Sequence, residues 1–116
     1  MWREQVTEFC PLPEPPYYAV IFANQSSSDM LGYSEMAEMM DRLSAEQPGF
    51  IGRDSTRNEN GFSITVSYWK DEASIANWRE NLRHAAAQSM GKQKWYSHYT
   101  LRVAKVERHY EGPEGR

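Results

Sequence analysis

The feature that most restricts the fold lies in residues 58–69, NENGFSITVSYW. In the turn Asn58-Glu59-Asn60-Gly61 the Asn-Gly pair is a strong hairpin signal. The eight residues after it alternate without a break. Phe62, Ile64, Val66 and Tyr68 point one way and Ser63, Thr65, Ser67 and Trp69 the other, since successive side chains leave a strand on opposite faces. Residues 50–58, FIGRDSTRN, supply the partner strand, so an antiparallel hairpin is the element around which the rest must pack.

The flanking segments extend that hairpin into a sheet. Tyr17 to Asn24, YYAVIFAN, is a run without charge, expected to be a strand buried on both faces. After the polar connector QSSSDMLG, Met36, Met39, Met40 and Leu43 recur at helical spacing, which predicts a helix from Tyr33 to about Glu46, stopped by Pro48-Gly49. Asp71 is placed to cap a second helix, on which Ile75, Trp78, Leu82 and Ala85 share a face and which is expected to break near Gly91. A last strand covers about Tyr96 to Tyr110, with a slip of alternation between Val103 and Val106 that predicts a bulge. The order is β-α-β-β-α-β: an α+β, ferredoxin-like domain with one four-stranded antiparallel sheet and two helices on one face.

The chain is 116 residues long, enough for one real hydrophobic core and no second. Residues 1–16 form a proline-rich arm through Pro11, Pro13, Pro15 and Pro16, residues 17–110 the domain, and residues 111–116 a flexible tail. At 40% apolar and 25% charged residues it belongs with folded globular proteins rather than disordered ones. Cys10 is the sole cysteine, which excludes an intrachain disulfide and multi-cysteine metal motifs and suggests a reduced, cytoplasmic setting. No segment approaches the length of apolar residues needed to span a membrane, and the first residues lack a signal-peptide core.

A net charge of -3 disfavours nucleic acid as a partner. The segment NGFSITVS also lacks the stacking aromatics that an RNA-recognition sheet carries. Dinucleotide, P-loop, zinc-protease and serine-hydrolase motifs are missing, and His84, His98 and His109 are too scattered to suggest a metal site.

With the helices on one sheet face, Tyr17, Ala19, Ile21 and Trp69 are expected on the other, an apolar surface of the kind that marks interfaces. A homodimer packed sheet to sheet would cover it, with the proline arm free to embrace the partner.

The stretch PGFIGRDSTRNENGFSITVSYWKDEASIANWRENLRHAAAQ resembles the antibiotic biosynthesis monooxygenase (ABM) domain, through the PGF opening strand two, SYW closing strand three, the acidic DEA and the Trp of ANW. The likeness extends over residues 17–110. It implies a dimeric α+β barrel and a cavity between sheet and helices, with Asn24 and Trp78 at the positions that hold the reacting oxygen of a flat substrate. It implies a cofactor-independent monooxygenase that oxidises an electron-rich aromatic or polyketide-like molecule with O2. Phe22, Met36, Met40, Tyr68, His84 and Tyr99 are the residues expected to contact that guest, with Tyr68, Tyr99 or His98 as proton relay. The alternatives are a non-catalytic small-molecule-binding or stress-associated domain, and a haem-binding or haem-degrading relative. In the haem-degrading branch a histidine stands ten residues after the helical Trp, where this chain has Gln88, and His84 lies about 120 degrees around the helix from Trp78.

Overall fold

The computed structural model describes residues 9–26, 33–89 and 96–113, with the side chains of 33–37, 83–89 and 96–97 excepted. The elements are β1 (Tyr17–Ser26), α1 (Tyr33–Ala45), β2 (Phe50–Arg57), β3 (Phe62–Trp69), α2 (Glu72–Ser89) and β4 (Tyr96–Val106). They form one antiparallel sheet in the order β2-β3-β1-β4, the expected ferredoxin-like arrangement. No helix among the described residues is long and apolar enough to cross a membrane.

Local chemistry sets the boundaries. The β2–β3 turn closes through Asn58 N–H to the Phe62 carbonyl at 2.8 Å and Gly61 N–H to the Asn58 carbonyl at 3.2 Å. The Asn58 side chain accepts from the backbone N–H groups of Asn60 and Phe62, and Gly61 takes a φ of 88°, which a side chain would strain. Gly49, at φ 90°, ends the α1 connection, and its carbonyl accepts from Lys70 N–H at the far end of β3. Asp71 caps α2 as expected, accepting from Ser74 N–H at 2.8 Å.

The register assigns the two faces. Tyr18 is opposite Trp69, Val20 opposite Ser67 and Asn24 opposite Ser63, so even positions of β1 and odd positions of β3 share a face. On that face Val20, Trp69, Ile75 and Trp78 form the buried core, with Tyr18, Phe50 and Leu82 packed around it. It is the helix side. Trp69, expected on the outer face with Tyr17, Ala19 and Ile21, is completely buried beneath α2 instead. The apolar series Phe62, Ile64, Val66 and Tyr68 takes the outer face, where Phe62 and Ile64 are exposed. The physical reason is parity: once Tyr18 pairs with Trp69, the indole must follow Val20 to the core beneath α2.

The outer face is partly covered by this chain's own ends. Cys10 N–H donates to Asp54 Oδ1 at 2.9 Å, its thiol lies where a Cβ on Gly52 would stand, and the Tyr17 hydroxyl meets His109 Nδ1 at 2.7 Å. Part of the described arm is therefore tied to its own β2. The expected bulge between Val103 and Val106 is not found: β4 pairs regularly there, and the register shift lies at Gln25/Ser26 instead. The expected helix break near Gly91 lies outside the described residues.

Candidate functional site

The helix-side floor of the sheet is a grid of residue rows, each running from β2 through β3 and β1 to β4. Arg57, Ser63, Asn24 and Tyr99 make one row; Ser55, Thr65, Phe22 and Leu101 the next; Arg53, Ser67, Val20 and Val103 the third. Polarity changes across the grid rather than along it. The β2–β3 half carries hydroxyls and guanidinium groups, the β1–β4 half mainly aromatic and aliphatic side chains. Serine and threonine are too small to fill the space beneath the helices, so a hollow remains where a bulkier β3 would have made solid core.

That hollow is a cavity of about 340 Å³, within the range of small-molecule sites. Its lining includes Phe22, Asn24, Met40 and Trp78, together with the hydroxyl residues of β3 and Arg53 and Arg57 of β2. At one wall Arg53 reaches Asp41 of α1 at 3.1 Å, an ion pair that ties the helix to the strand across the rim.

Two polar atoms in this lining are buried without a hydrogen-bond partner: Asn24 Oδ1 and Trp78 Nε1. Asn24 is 3% exposed and Trp78 6%. The other end of the Asn24 amide donates to Ser63 Oγ at 3.0 Å. A serine hydroxyl can accept or donate, so it holds the amide in either flip and leaves one amide end pointing at no protein group. The Trp78 indole stacks against Trp69 with ring centroids 5.4 Å apart, and Trp69 turns its own N–H to Ser67 Oγ at 2.9 Å. Of the two stacked indoles, one has spent its donor inside the core and the other keeps it. An unpaired buried polar atom costs about 1–3 kcal/mol, so a matched pair of them in a cavity wall calls for a ligand or water as partner.

The expected site residues divide. Asn24, Trp78, Phe22 and Met40 come together on the cavity. Tyr99 shares the Asn24 row and sets its ring 5.7 Å from Phe22, but lies beyond the lining and is half exposed. Tyr68 does not belong to the site. It pairs with Ala19 on the opposite face, where its hydroxyl donates to Asp54 Oδ2 at 2.8 Å, and burial together with that bond pushes its pKa up. His98, opposite Gln25, is on that outer face too, so neither can relay a proton into the cavity. The side chains of Met36 and His84 lie outside the described residues.

The polar wall of β2 and β3 was missed from sequence because Ser63, Thr65 and Ser67 share a side with Trp69, which was expected on the outer face, and Arg53, Ser55 and Arg57 were assigned to neither face. The signal was present. Closure of the turn between Asn58 and Phe62 places Arg57 opposite Ser63 and puts both polar series on one face.

No protein-family profile matches the chain. Among curated proteins it is 51% identical over 96 residues to YqjZ of Bacillus subtilis, an uncharacterized protein, covering 83% of this chain and 84% of that one. It is 30% identical over 92 residues to the jasmonate monooxygenase ABM of Pyricularia oryzae; that match covers 77% of this chain and 43% of the fungal protein, so the chain spans under half of that relative. Among solved structures, the cofactor-independent oxygenase SnoaB of Streptomyces nogalater superposes with a TM-score of 0.61 at 14% identity, over 86% of this chain and all of that one. A mutant of MhuD holding two manganese protoporphyrin IX molecules per active site superposes at 0.60 and 18% identity, over 82% and 99%. The chain therefore belongs to one family with YqjZ, is similar over 92 residues to an ABM monooxygenase, and shares the β-α-β-β-α-β fold of ABM-type oxygenase structures.

Proposed function

We propose that the chain is a cofactor-independent monooxygenase that oxidises an electron-rich aromatic or polyketide-like molecule with O2. The observation that carries this reading is the pair of unpartnered buried polar atoms on Asn24 and Trp78, two residues that line one cavity. Both groups are neutral. With the Asn24 amide in its other flip, its oxygen accepting from the Ser63 hydroxyl and its N–H2 turned to the guest, an amide N–H and an indole N–H would stabilise a phenolate oxygen without neutralising it, which keeps the ring electron-rich.

The guest is its own reductant. Loss of a proton yields a carbanion-like phenolate that passes one electron to O2. The resulting radical pair, confined against Trp78 and Phe22, combines to form a C–O bond. Loss of water from the hydroperoxide leaves a carbonyl: one oxygen atom of O2 enters the product, the other leaves as water, and a CH2 centre supplies the four electrons. The chain's part is to exclude water, hold the ring and place two donors at the oxygen.

Haem is not part of this proposal. Among the described residues the cavity offers hydroxyls, one thioether and a carboxylate already held by Arg53, a poor set for iron whose usual protein ligands are imidazole or thiolate. A binding role without turnover is the second reading, favoured by the absence of an imidazole from the described lining. Oxygen uptake with a panel of hydroxylated polycyclic aromatics separates the two. Consumption by the native chain that is lost in Asn24→Ala and Trp78→Phe supports the oxygenase, and binding without uptake across the panel supports the binder.

The domain is further proposed to work as a homodimer. Phe62 and Ile64 stand exposed on the outer face of β3, and such apolar surface gains about 25 cal/mol per Å² when covered.

A further inference from the structure

One hydroxyl of the cavity wall has its role fixed by a neighbour. Ser67 Oγ accepts from Trp69 Nε1 at 2.9 Å, and an indole N–H can only donate, so the hydroxyl proton of Ser67 must turn elsewhere. Among the described residues no acceptor meets it. Ser67 is 7% exposed and lines the cavity, the open space within its reach. Ser63 differs, because it bonds an amide whose two ends can exchange, and in one flip its proton is taken up by Asn24 itself. Ser67 therefore offers a buried donor that no rotation of Asn24 removes.

Its position relative to Asn24 is set by the sheet. Ser67 lies four residues from Ser63 on one face of β3, about 13 Å along the strand, and Asn24 stands opposite Ser63, about 5 Å across. Asn24 and Ser67 thus mark two ends of the cavity floor, about 14 Å apart at the backbone. With a hydrogen bond of about 2.8 Å at each end, about 8 Å remains between two oxygens of a guest. Oxygens at opposite ends of two fused aromatic rings have that separation.

We propose that Ser67 determines specificity by donating to a ketone or quinone-type carbonyl at the far end of a guest whose reacting oxygen meets Asn24 and Trp78. The assignment rests on the reading of this cavity as the site of a hydroxylated aromatic, and adds to that guest a second oxygen, its chemical kind and its distance from the first. A carbonyl fits better than a second hydroxyl. The hydroxyl would bring a proton of its own to a place where Val20, opposite Ser67, and the indole of Trp69 have no acceptor for it. A guest so held is oriented as well as bound.

Anaerobic calorimetry of the intact protein with a naphthol bearing an acetyl group on its far ring, and with the ethyl counterpart, tests this without turnover. Ser67→Ala should weaken binding of the ketone about tenfold and leave the ethyl compound unchanged, since only the ketone loses a partner for a buried acceptor. Ser67→Thr, which keeps a hydroxyl, should retain the ketone's affinity. Ser67→Ala also takes the acceptor from Trp69 and lowers stability, so infrared spectroscopy of the native complex with an isotope-labelled carbonyl supplies a second reading. The band should stand at the low frequency of a hydrogen-bonded carbonyl. Equal losses for both compounds in Ser67→Ala, no loss for either, or a carbonyl band at its position in an apolar solvent overturns the proposal and leaves the roles of Asn24 and Trp78 intact. Binding of neither naphthol by the folded native protein overturns both.

Discussion

The indoles of Trp69 and Trp78 face each other with centroids 5.4 Å apart and planes inclined by 35°, and only the first has a partner for its N–H. One closes the core from the sheet. The other closes it from the helix and forms the wall of the cavity. The chain thereby joins its most buried packing to its candidate site, and substitutions at the two positions should separate stability from function.

Trp69→Ala removes a fully buried side chain from the middle of the core and should cost about 3–5 kcal/mol, read as a fall in the urea midpoint. Trp69→Phe should cost less, yet more than an area calculation suggests, because the Ser67 hydroxyl loses its donor.

Trp78→Phe keeps most of the packing and deletes the unpartnered N–H. Oxygen consumption on an accepted substrate should fall on the order of 10²-fold in kcat, with the urea midpoint changed far less than by Trp69→Ala. Asn24→Ala should act similarly, and the double variant should lose less than the product of the single losses, since both groups serve one oxygen.

Gly49→Ala should destabilise by more than about 1 kcal/mol. Its φ of 90° is unfavourable for a side chain, and an added Cβ would run into Ser74 at the start of α2. Gly61→Ala faces the same backbone strain plus contact with Ser26, and should weaken the hairpin comparably.

Stability should decline in alkali. Burial, and for Tyr68 the bond to Asp54, raise the pKa values of Tyr17 and Tyr68 above the ordinary 10.0. Above that pH the unfolded chain gives up phenolic protons that the folded chain retains, so folding is progressively opposed. The stabilising effect is complete below about pH 10 and lost above it. Tyr68→Phe should flatten the alkaline limb of a plot of denaturation midpoint against pH.

Ile64→Glu places a charge on the exposed outer face without touching the helix-side core. Light scattering at micromolar concentration should report a dimer for the native chain and a monomer for the variant, with unchanged circular dichroism.

Much of the architecture could be read in advance because its signals are local. The Asn60-Gly61 turn, the Asp71 cap, the methionine stripe of α1 and the uncharged run from Tyr17 each act over a few residues, and the element order follows from them. Asn24 and Trp78 were reached through family resemblance, and the structure brings both to one cavity. Tyr68 was misplaced because alternation states which residues share a side of a strand, not which side meets the helices. The same ambiguity left Arg53 and Arg57 assigned to neither face.

The amino-acid sequence by itself determined the elements, their order and the parity within each strand, since these depend on backbone preference and side-chain period. Tertiary structure decided which parity faced inward. With Trp69 sent under α2 by its pairing with Tyr18, the serines and threonine of β3 went in with it. Side chains so small could not fill the layer beneath the helices, and their shortfall in volume opened the hollow in which an amide and an indole remain without protein partners.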